Sequence, residues 1–375
     1  MEKNYMIDYF KFFGILLVVW FHAAPFIPQT TGGLNSLYFQ YAIPVLPRFD
    51  VSYFFVISGY LYGRKLRIST SGYKYTKKYV IRLIKFFVVW YLFYFAYDVL
   101  MCIYLSSIHG QSIAVQVKSF IWSQLKLIPI YYGYGKTSYQ LWYLTALVWS
   151  VLILSAFIKF KKVYFLLGLG LLFNLIGLFG QRYSGIYYLP VPTNDCLFYG
   201  LFYTTLGYLI AVNYEWIMEK LNHVKNISLI YLLILFFLLG LAENIIMLGP
   251  MNGYKGESNY QLCTIPLTII IVCFVLKNSN RGKSSIFTRI GGQTVGIYVT
   301  HVLFLSIMTN FLTQLNSDYL QSRIWFHILI TPVIFVLSYY FYIFLHYFKE
   351  FIKKIGRRLS VLNPKSLNFK GSKQT

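Results

Sequence analysis

Apolar residues recur along the whole chain in runs long enough to cross a lipid bilayer. A helix needs about 20 mainly apolar residues to span the roughly 30 Å of hydrocarbon, and short polar connections separate the runs. The predicted spans are residues 8–28, 46–63, 83–105, 140–158, 163–181, 197–213, 227–248, 262–277, 291–313 and 324–347. The pattern therefore predicts an all-α polytopic membrane protein of ten spans, with a membrane-embedded domain over residues 1–348 and a basic tail over residues 349–375.

Composition supports the same class of protein. Of the 375 residues, 57% are hydrophobic and 12% are charged, and the mean hydropathy is +0.57. A soluble fold of this size could not keep so many Phe, Tyr, Ile and Leu side chains out of water. The cysteines form no CxxC pair, so we interpret them as packing residues and expect neither a zinc site nor a disulfide framework. They are Cys102, Cys196, Cys263 and Cys273.

The positive charge follows the predicted topology. The chain carries 34 Lys and Arg against 11 Asp and Glu, a formal charge of +23. With a cytoplasmic N-terminus, all of these cations except seven fall on cytoplasmic segments, which predicts that both termini are cytoplasmic. The seven are Arg48, Lys118, Lys126, Lys136, Arg182, Lys255 and Arg323. Anionic inner-leaflet lipid then accounts for the charge, and no nucleic-acid partner is expected.

Ionisable side chains within the predicted spans are the functional candidates, because charge is costly to place in a bilayer. They are Lys11, His22, Arg48, Asp50, Asp98, Glu243 and His301. Lys11 and His22 are eleven residues apart, so they share one face of the first helix at a separation of about 16 Å. Lys11 either snorkels to the interface or binds a ligand, whereas His22 lies too deep to snorkel.

His301 lies ten residues beyond Gly291 on the ninth predicted span, at a depth comparable with that of His22. Two histidines at similar depth on helices running the same way suggest a shared cavity, and imidazole is suited to proton transfer near neutral pH. The alternative is a pair of core histidines bonded to backbone carbonyls. Neither histidine has a second ligand at i+3 or i+4, so no metal site is expected.

The second predicted span carries a polar outer edge and a small notch. Arg48 and Asp50 at this edge either pair, contact a polar ligand or act as interface anchors, while Ser58 and Gly59 allow backbones to approach closely. Eight cations follow within residues 64–85. They are suited either to the phosphates of a nucleotide-bearing donor or to lipid headgroups.

Five motifs in this order resemble acyltransferase family 3, a family of integral membrane proteins. Asp8, Lys11 and His22 follow the family's Asp-x-x-Arg pattern with His after ten further residues, with lysine in place of arginine. The other four motifs are the run from Phe54 to Tyr60, the basic group Lys77, Lys78 and Arg82, the run from Leu141 to Leu144, and the run from Gly296 to His301.

The resemblance implies an enzyme of a bacterial cytoplasmic membrane that moves acyl groups, usually acetyl, from acyl-CoA to a hydroxyl of a cell-surface polysaccharide or its lipid-linked precursor. His22 would act as general base or carry the acyl group covalently, and His301 would orient it or relay protons. Donor and acceptor would contact Lys11, Arg48, Asp50, Ser58, Lys78, Arg82, Trp142 and Tyr298. No permanently bound cofactor is implied.

One departure from the family pattern bears on the acceptor. Some members carry Val-Glu-Glu-Gln after the tryptophan motif, where this chain has Thr145, Ala146 and Leu147. This favours the branch that acts on exopolysaccharide or O-antigen over the peptidoglycan branch.

Two rival interpretations remain: an exporter or flippase of polysaccharide or lipid-linked sugar, and a sensory or structural subunit without chemistry.

Overall fold

The computed structural model describes residues 3–23, 46, 48–126, 131–133, 135–253, 258–315 and 324–362, and it contains no strand within these ranges. Residues 24–28 of the first predicted span and 363–375 of the predicted tail lie outside this described part. The helices are α1 (Tyr5–Ala23), α2 (Asp50–Arg67), α3 (Gly72–Ile108), α4 (Ile113–Gln124), α5 (Trp142–Lys159), α6 (Val163–Gly177), α7 (Leu201–Val212), α8 (Tyr214–Asn222), α9 (Asn226–Leu248), α10 (Thr264–Lys277), α11 (Ile286–Gly291), α12 (Thr294–Gln314) and α13 (Ile324–Leu362).

Each of the ten apolar runs forms a helix, which confirms the prediction of an all-α polytopic membrane protein. Among the described residues, seven helices are long and apolar enough to cross a membrane, or eight if α7 with its preceding π-turn and α8, bent by 82°, form one span. Helix α10 has only 14 residues, and the tyrosines and cations of α2 lower its hydropathy. Helix α13 continues without a break past residue 348 to Leu362.

Hydrogen bonds between helix ends show which ends lie together. The Tyr5 amide at the start of α1 donates to the Ser279 carbonyl just after α10, at 2.8 Å. Arg67 at the end of α2 donates to the Ala211 carbonyl near the end of α7, at 3.1 Å. We name the side of the bundle where α1 begins the Lys11 end, and the side where α1 finishes the His22 end.

Glycines allow α2 and α7 to touch along their backbones. A Cβ on Gly59 would lie 2.1 Å from the Thr204 carbonyl oxygen, and one on Gly207 would lie 1.9 Å from the Val56 carbonyl oxygen. Only glycine leaves room for helices this close. The close backbone approach predicted for the notch of Ser58 and Gly59 is therefore confirmed at Gly59.

Glu243, one of the ionisable residues in the predicted spans, has a structural role. Its carboxylate accepts hydrogen bonds from the backbone amides of Leu262 at 2.6 Å and Cys263 at 2.9 Å, and from the Tyr183 hydroxyl at 3.0 Å. These amides precede α10, so the carboxylate satisfies donors that the helix start leaves unpaired.

Asp98 on α3 also holds a loop in place. Its carboxylate accepts from the Thr137 amide at 3.2 Å and from the Thr137 hydroxyl at 2.5 Å. This contact fixes the segment that leads into the 3₁₀ turn Tyr139–Leu141 and the start of α5.

Candidate active site in a histidine-lined cavity

A close contact between α11 and α1 relates the depths of the two histidines. A Cβ on Gly291 would lie 1.8 Å from the Asp8 carbonyl oxygen and 3.2 Å from the Phe12 amide nitrogen. Gly291 therefore lies at the level of Phe12. His22 is ten residues beyond Phe12 on α1, a rise of about 15 Å, and His301 is seven residues beyond Thr294, the first residue of α12, a rise of about 10 Å.

The structure brings the two histidines into direct contact. Their ring centroids are 5.3 Å apart with an interplanar angle of 28°, a stacked arrangement. The Tyr139 ring meets His22 edge-on with centroids 5.2 Å apart. His301 is fully buried and His22 is partly exposed, so His301 lies behind His22.

A backbone contact orients the ring of His301. Its Nδ1 lies 3.1 Å from the Ile297 carbonyl oxygen one turn earlier on α12. A carbonyl oxygen only accepts, so Nδ1 carries the proton and Nε2 holds the lone pair of the neutral ring. The backbone bond expected of a core histidine is thus present at His301, on a ring that also contacts His22.

His22 lines a cavity of about 830 Å³ at the His22 end. Arg48, Tyr139 and Trp142 line it on one side. The connection after α6 and the segment before α10 provide the other side with Gln181, Thr193, Asn194 and Asn259. An imidazole in the wall of a space of this size can meet a hydroxyl of a substrate.

Arg48, in the wall of this cavity, forms a buried ion pair with Asp50, which does not line the cavity. Arg48 Nη2 lies 2.9 Å from Asp50 Oδ2 and Nε lies 3.3 Å from Oδ1, a bidentate contact. The guanidinium also covers the ring of Phe21, at 4.2 Å from its centroid. Phe21, the residue before His22 in the chain, is therefore packed against the guanidinium of Arg48. The carboxylate of Asp50 neutralises the charge of this guanidinium.

Three motif residues connect α2 with the histidines. The Ser58 hydroxyl is 3.0 Å from the Tyr143 hydroxyl, and the Tyr143 and Tyr298 ring centroids are 5.8 Å apart. The Tyr298 hydroxyl donates to the Gln140 carbonyl, and its ring lies 6.2 Å from that of His301. Polar and aromatic groups thus run from the centre of α2 to the histidine pair.

A second, smaller cavity of about 280 Å³ lies at the Lys11 end. Lys3, Asp8, Lys11, Arg64 and Tyr60 are among its lining residues. The Asp8 carboxylate is 3.2 Å from the ammonium groups of both Lys3 and Lys11. Arg64 donates to the Tyr60 hydroxyl at 2.8 Å. The lining carries three cations and one carboxylate, so the cavity is suited to an anionic group.

The other predicted donor-binding cations lie elsewhere. Lys78 and Arg82 are exposed on the first turns of α3, and neither lines the two cavities described above. Lys3 and Arg64 were not predicted as site residues. Arg64 lies in the last turn of α2 and belongs to the basic run of residues 64–85, but the sequence alone does not show which of the eight cations turns toward α1.

Asp195 lies beside the large cavity and caps the π-turn Cys196–Gly200 that leads into α7. Its carboxylate accepts from the Phe198 amide at 2.9 Å and from the Tyr131 hydroxyl at 3.3 Å. Burial raises the pKa of Asp195 to about 6, against 3.8 for the free side chain. Burial and the neighbouring Asp195 also raise the pKa of Tyr131 above its ordinary value.

The fold and these cavities define a multi-pass membrane protein with a stacked histidine pair at one end and a cationic cavity at the other. No group of three or more His, Cys, Asp or Glu that could hold a metal ion occurs in the described ranges. The family model of acyltransferase family 3, described as an acyltransferase domain, matches residues 4–343, and the chain belongs to this family. Neither the curated proteins nor the solved structures include a significant match.

Proposed function

We propose that this membrane acyltransferase moves an acyl group, acetyl in the simplest case, from acyl-CoA to a hydroxyl of a cell-surface polysaccharide or its lipid-linked precursor. The observation that carries the proposal is the position of His22, in the wall of an 830 Å³ cavity and stacked on His301. A general base must come within about 3 Å of the hydroxyl it deprotonates, and this cavity admits a substrate to that ring.

The donor enters, in this proposal, at the Lys11 end, which faces the cytoplasm of a bacterium. Lys3, Lys11 and Arg64 supply charge-assisted hydrogen bonds for the phosphates of coenzyme A. Because Lys11 and His22 share one face of α1 about 16 Å apart, the extended arm of the donor follows α1 toward the histidines. Lys78 and Arg82, exposed at the same end, attract the polyanionic donor from a distance.

The reaction is a direct transfer. His22 takes the proton of the acceptor hydroxyl as its oxygen attacks the thioester carbonyl, and the carbon–sulfur bond breaks. Coenzyme A leaves as a thiolate and takes the proton from the imidazolium ring. His301, whose own Nδ1 is fixed by the Ile297 carbonyl, holds the ring of His22 in the orientation that this proton transfer needs.

The proposal is tested by deleting the gene and analysing the surface glycan of the cells. Loss of an acyltransferase leaves a polymer that is exported at a normal level but lacks base-labile acyl esters, detected by mass spectrometry or NMR. Re-expression of the chain restores the esters. An exporter or flippase predicts a different outcome, since its loss leaves polymer inside the cell. Unchanged esters and normal export would contradict both functions.

A further inference from the structure

Three carboxamide side chains from two segments, the connection after α6 and the segment before α10, form one network in the wall of the large cavity. Gln181 Nε2 donates to Asn194 Oδ1 at 2.7 Å, and Asn259 Nδ2 donates to the same oxygen at 3.2 Å. The Asn259 backbone amide donates to Gln181 Oε1 at 3.1 Å. All three residues line the cavity that His22 also lines.

The backbone determines which way each carboxamide points. An amide N–H only donates, so the Asn259 backbone contact fixes Gln181 Oε1 as the acceptor and directs Gln181 Nε2 to Asn194. The Asn194 oxygen is then occupied by two donors. Its Nδ2 makes no hydrogen bond with another residue of the described part and is available to donate to a ligand.

The network also leaves an acceptor without a partner. The Oδ1 atom of Asn259 is buried and has no hydrogen-bond partner among the described residues. A buried polar atom without a partner is unfavourable, and a hydroxyl of a ligand or of water would recover the lost hydrogen bond. One available donor and one acceptor on neighbouring side chains match a group that both accepts and donates, as a hydroxyl does.

The charge of the cavity is close to neutral. The charged side chain in its described wall is Arg48, which Asp50 neutralises in a bidentate contact. The carboxylate of Asp195, adjacent to Asn194 in the chain, accepts hydrogen bonds from the Phe198 amide and the Tyr131 hydroxyl and is not part of the cavity lining. The rings of Tyr139 and Trp142 give the cavity flat apolar surfaces. Neutral amides beside aromatic rings favour an uncharged polyhydroxylated ligand over a carboxylate or phosphate.

We propose that Gln181, Asn194 and Asn259 form the acceptor-binding site, and that it selects an uncharged sugar unit through its hydroxyl groups. This inference rests on the proposed acyl transfer, because it assigns the acceptor to the cavity of His22. The amides hold the sugar ring by hydroxyls that do not react, while one further hydroxyl reaches His22.

The inference is tested with the purified full-length chain in proteoliposomes, with labelled acetyl-CoA as donor. The acceptor is the surface glycan of the same cells after removal of its esters with mild base. Asn194→Ala is expected to raise the KM for the glycan about tenfold, the effect of one lost hydrogen bond, without changing the KM for acetyl-CoA. Asn194→Asp, which keeps the oxygen that Gln181 and Asn259 require, is expected to give at least the same loss.

Asn310→Ala is the matched control. The Asn310 side chain bonds to the Ser306 carbonyl within α12 and lies outside the cavity, so this variant should behave as the wild type. A wild-type KM for the glycan in both Asn194 variants would overturn the acceptor site, as would esters found only on acidic sugar units. Absence of transfer to the glycan by the wild-type protein would instead overturn the proposed function, and the acceptor site with it.

Discussion

The chemistry available to His22 depends on residues from three other elements. His301 on α12 stacks on its ring, Tyr139 meets its edge, and Arg48 covers the adjacent Phe21. The first two contacts fix the plane of the imidazole. A base held in a fixed orientation loses less entropy when it meets a hydroxyl, so we expect these neighbours to affect turnover more than binding.

The role of His301 as a positioning residue leads to the first prediction. His301→Ala should lower kcat about 10- to 100-fold and leave the KM values for donor and glycan near those of the wild type. His301→Gln keeps a polar group for the Ile297 carbonyl but provides no nitrogen that can relay a proton. Recovery of kcat in His301→Gln supports a positioning role, whereas a wild-type kcat in His301→Ala would reduce His301 to a packing residue.

Lys11 gives a prediction about donor affinity. Lys11→Ala should raise the KM for acetyl-CoA about 10- to 100-fold, because a charge-assisted hydrogen bond to phosphate is worth about 1.5–3 kcal/mol. Lys11→Arg should retain activity. Lys353→Ala is the control, since Lys353 forms a comparable i,i+3 pair with Glu350 outside the cavities. A wild-type KM in Lys11→Ala would make Lys11 an interface anchor.

Some residues that line the cavities can be recognised from the sequence, and others cannot. The histidines and Lys11 are ionisable residues in apolar runs, so each is visible alone, and the Arg48 and Asp50 pair is visible from its spacing. The amides of Gln181, Asn194 and Asn259 lie in connections where polar residues are ordinary. Their arrangement depends on the fold bringing two distant segments together, which no local sequence pattern predicts.

At the scale of elements, the contact between α2 and α7 determines where the motif residues lie. It predicts that Gly59→Ala lowers the melting temperature and membrane yield, because the added methyl would lie 2.1 Å from the Thr204 carbonyl oxygen. Gly168 on α6 has nothing within 4 Å of an added Cβ and is the matched control. Gly168→Ala should be neutral or slightly stabilising, since alanine favours helix by about 1 kcal/mol. Equal stability of both variants would contradict the packing.

The capping residue of the π-turn before α7 predicts a pH effect on stability. The pKa of Asp195 is about 6 in the folded chain and ordinarily 3.8, so the folded state holds this proton more tightly. Stability from this group is fully present below about pH 4 and decreases as pH rises through 6, by about 2–3 kcal/mol in all. Asp195→Asn should remove this decrease in melting temperature between pH 4.5 and 7.5. An identical pH dependence in the variant would refute the assignment.

The pattern of apolar residues predicts the helices that are long enough to give a span-length run. All ten apolar runs became helices, yet α8 and α11 were missed because helices of nine and six residues do not produce a span-length signal. Helix α11 nevertheless packs closely on α1 at Gly291, just before the helix that carries His301. The bend between α7 and α8 could not be predicted from the sequence either, because the apolar character of a run does not indicate the direction of the helix axis.

At the scale of the whole molecule, the two cavities lie at opposite ends of α1. Lys11 lines the smaller cavity and His22 the larger. Ser58, Tyr143 and Tyr298 occupy the interior between α2 and the histidines. This arrangement suits the proposed reaction, in which the two substrates approach from different sides of the membrane.

Transfer across inverted membrane vesicles tests this account most directly. Labelled acetyl-CoA is added on the cytoplasmic face, and base-labile label is counted in the glycan inside the vesicles. His22→Ala should lower the rate at least 100-fold at a wild-type protein level, because loss of a general base costs about 10²- to 10⁴-fold. His109→Ala, at the exposed end of α3, should leave the rate unchanged. Transfer by His22→Ala at a near wild-type rate would contradict the account.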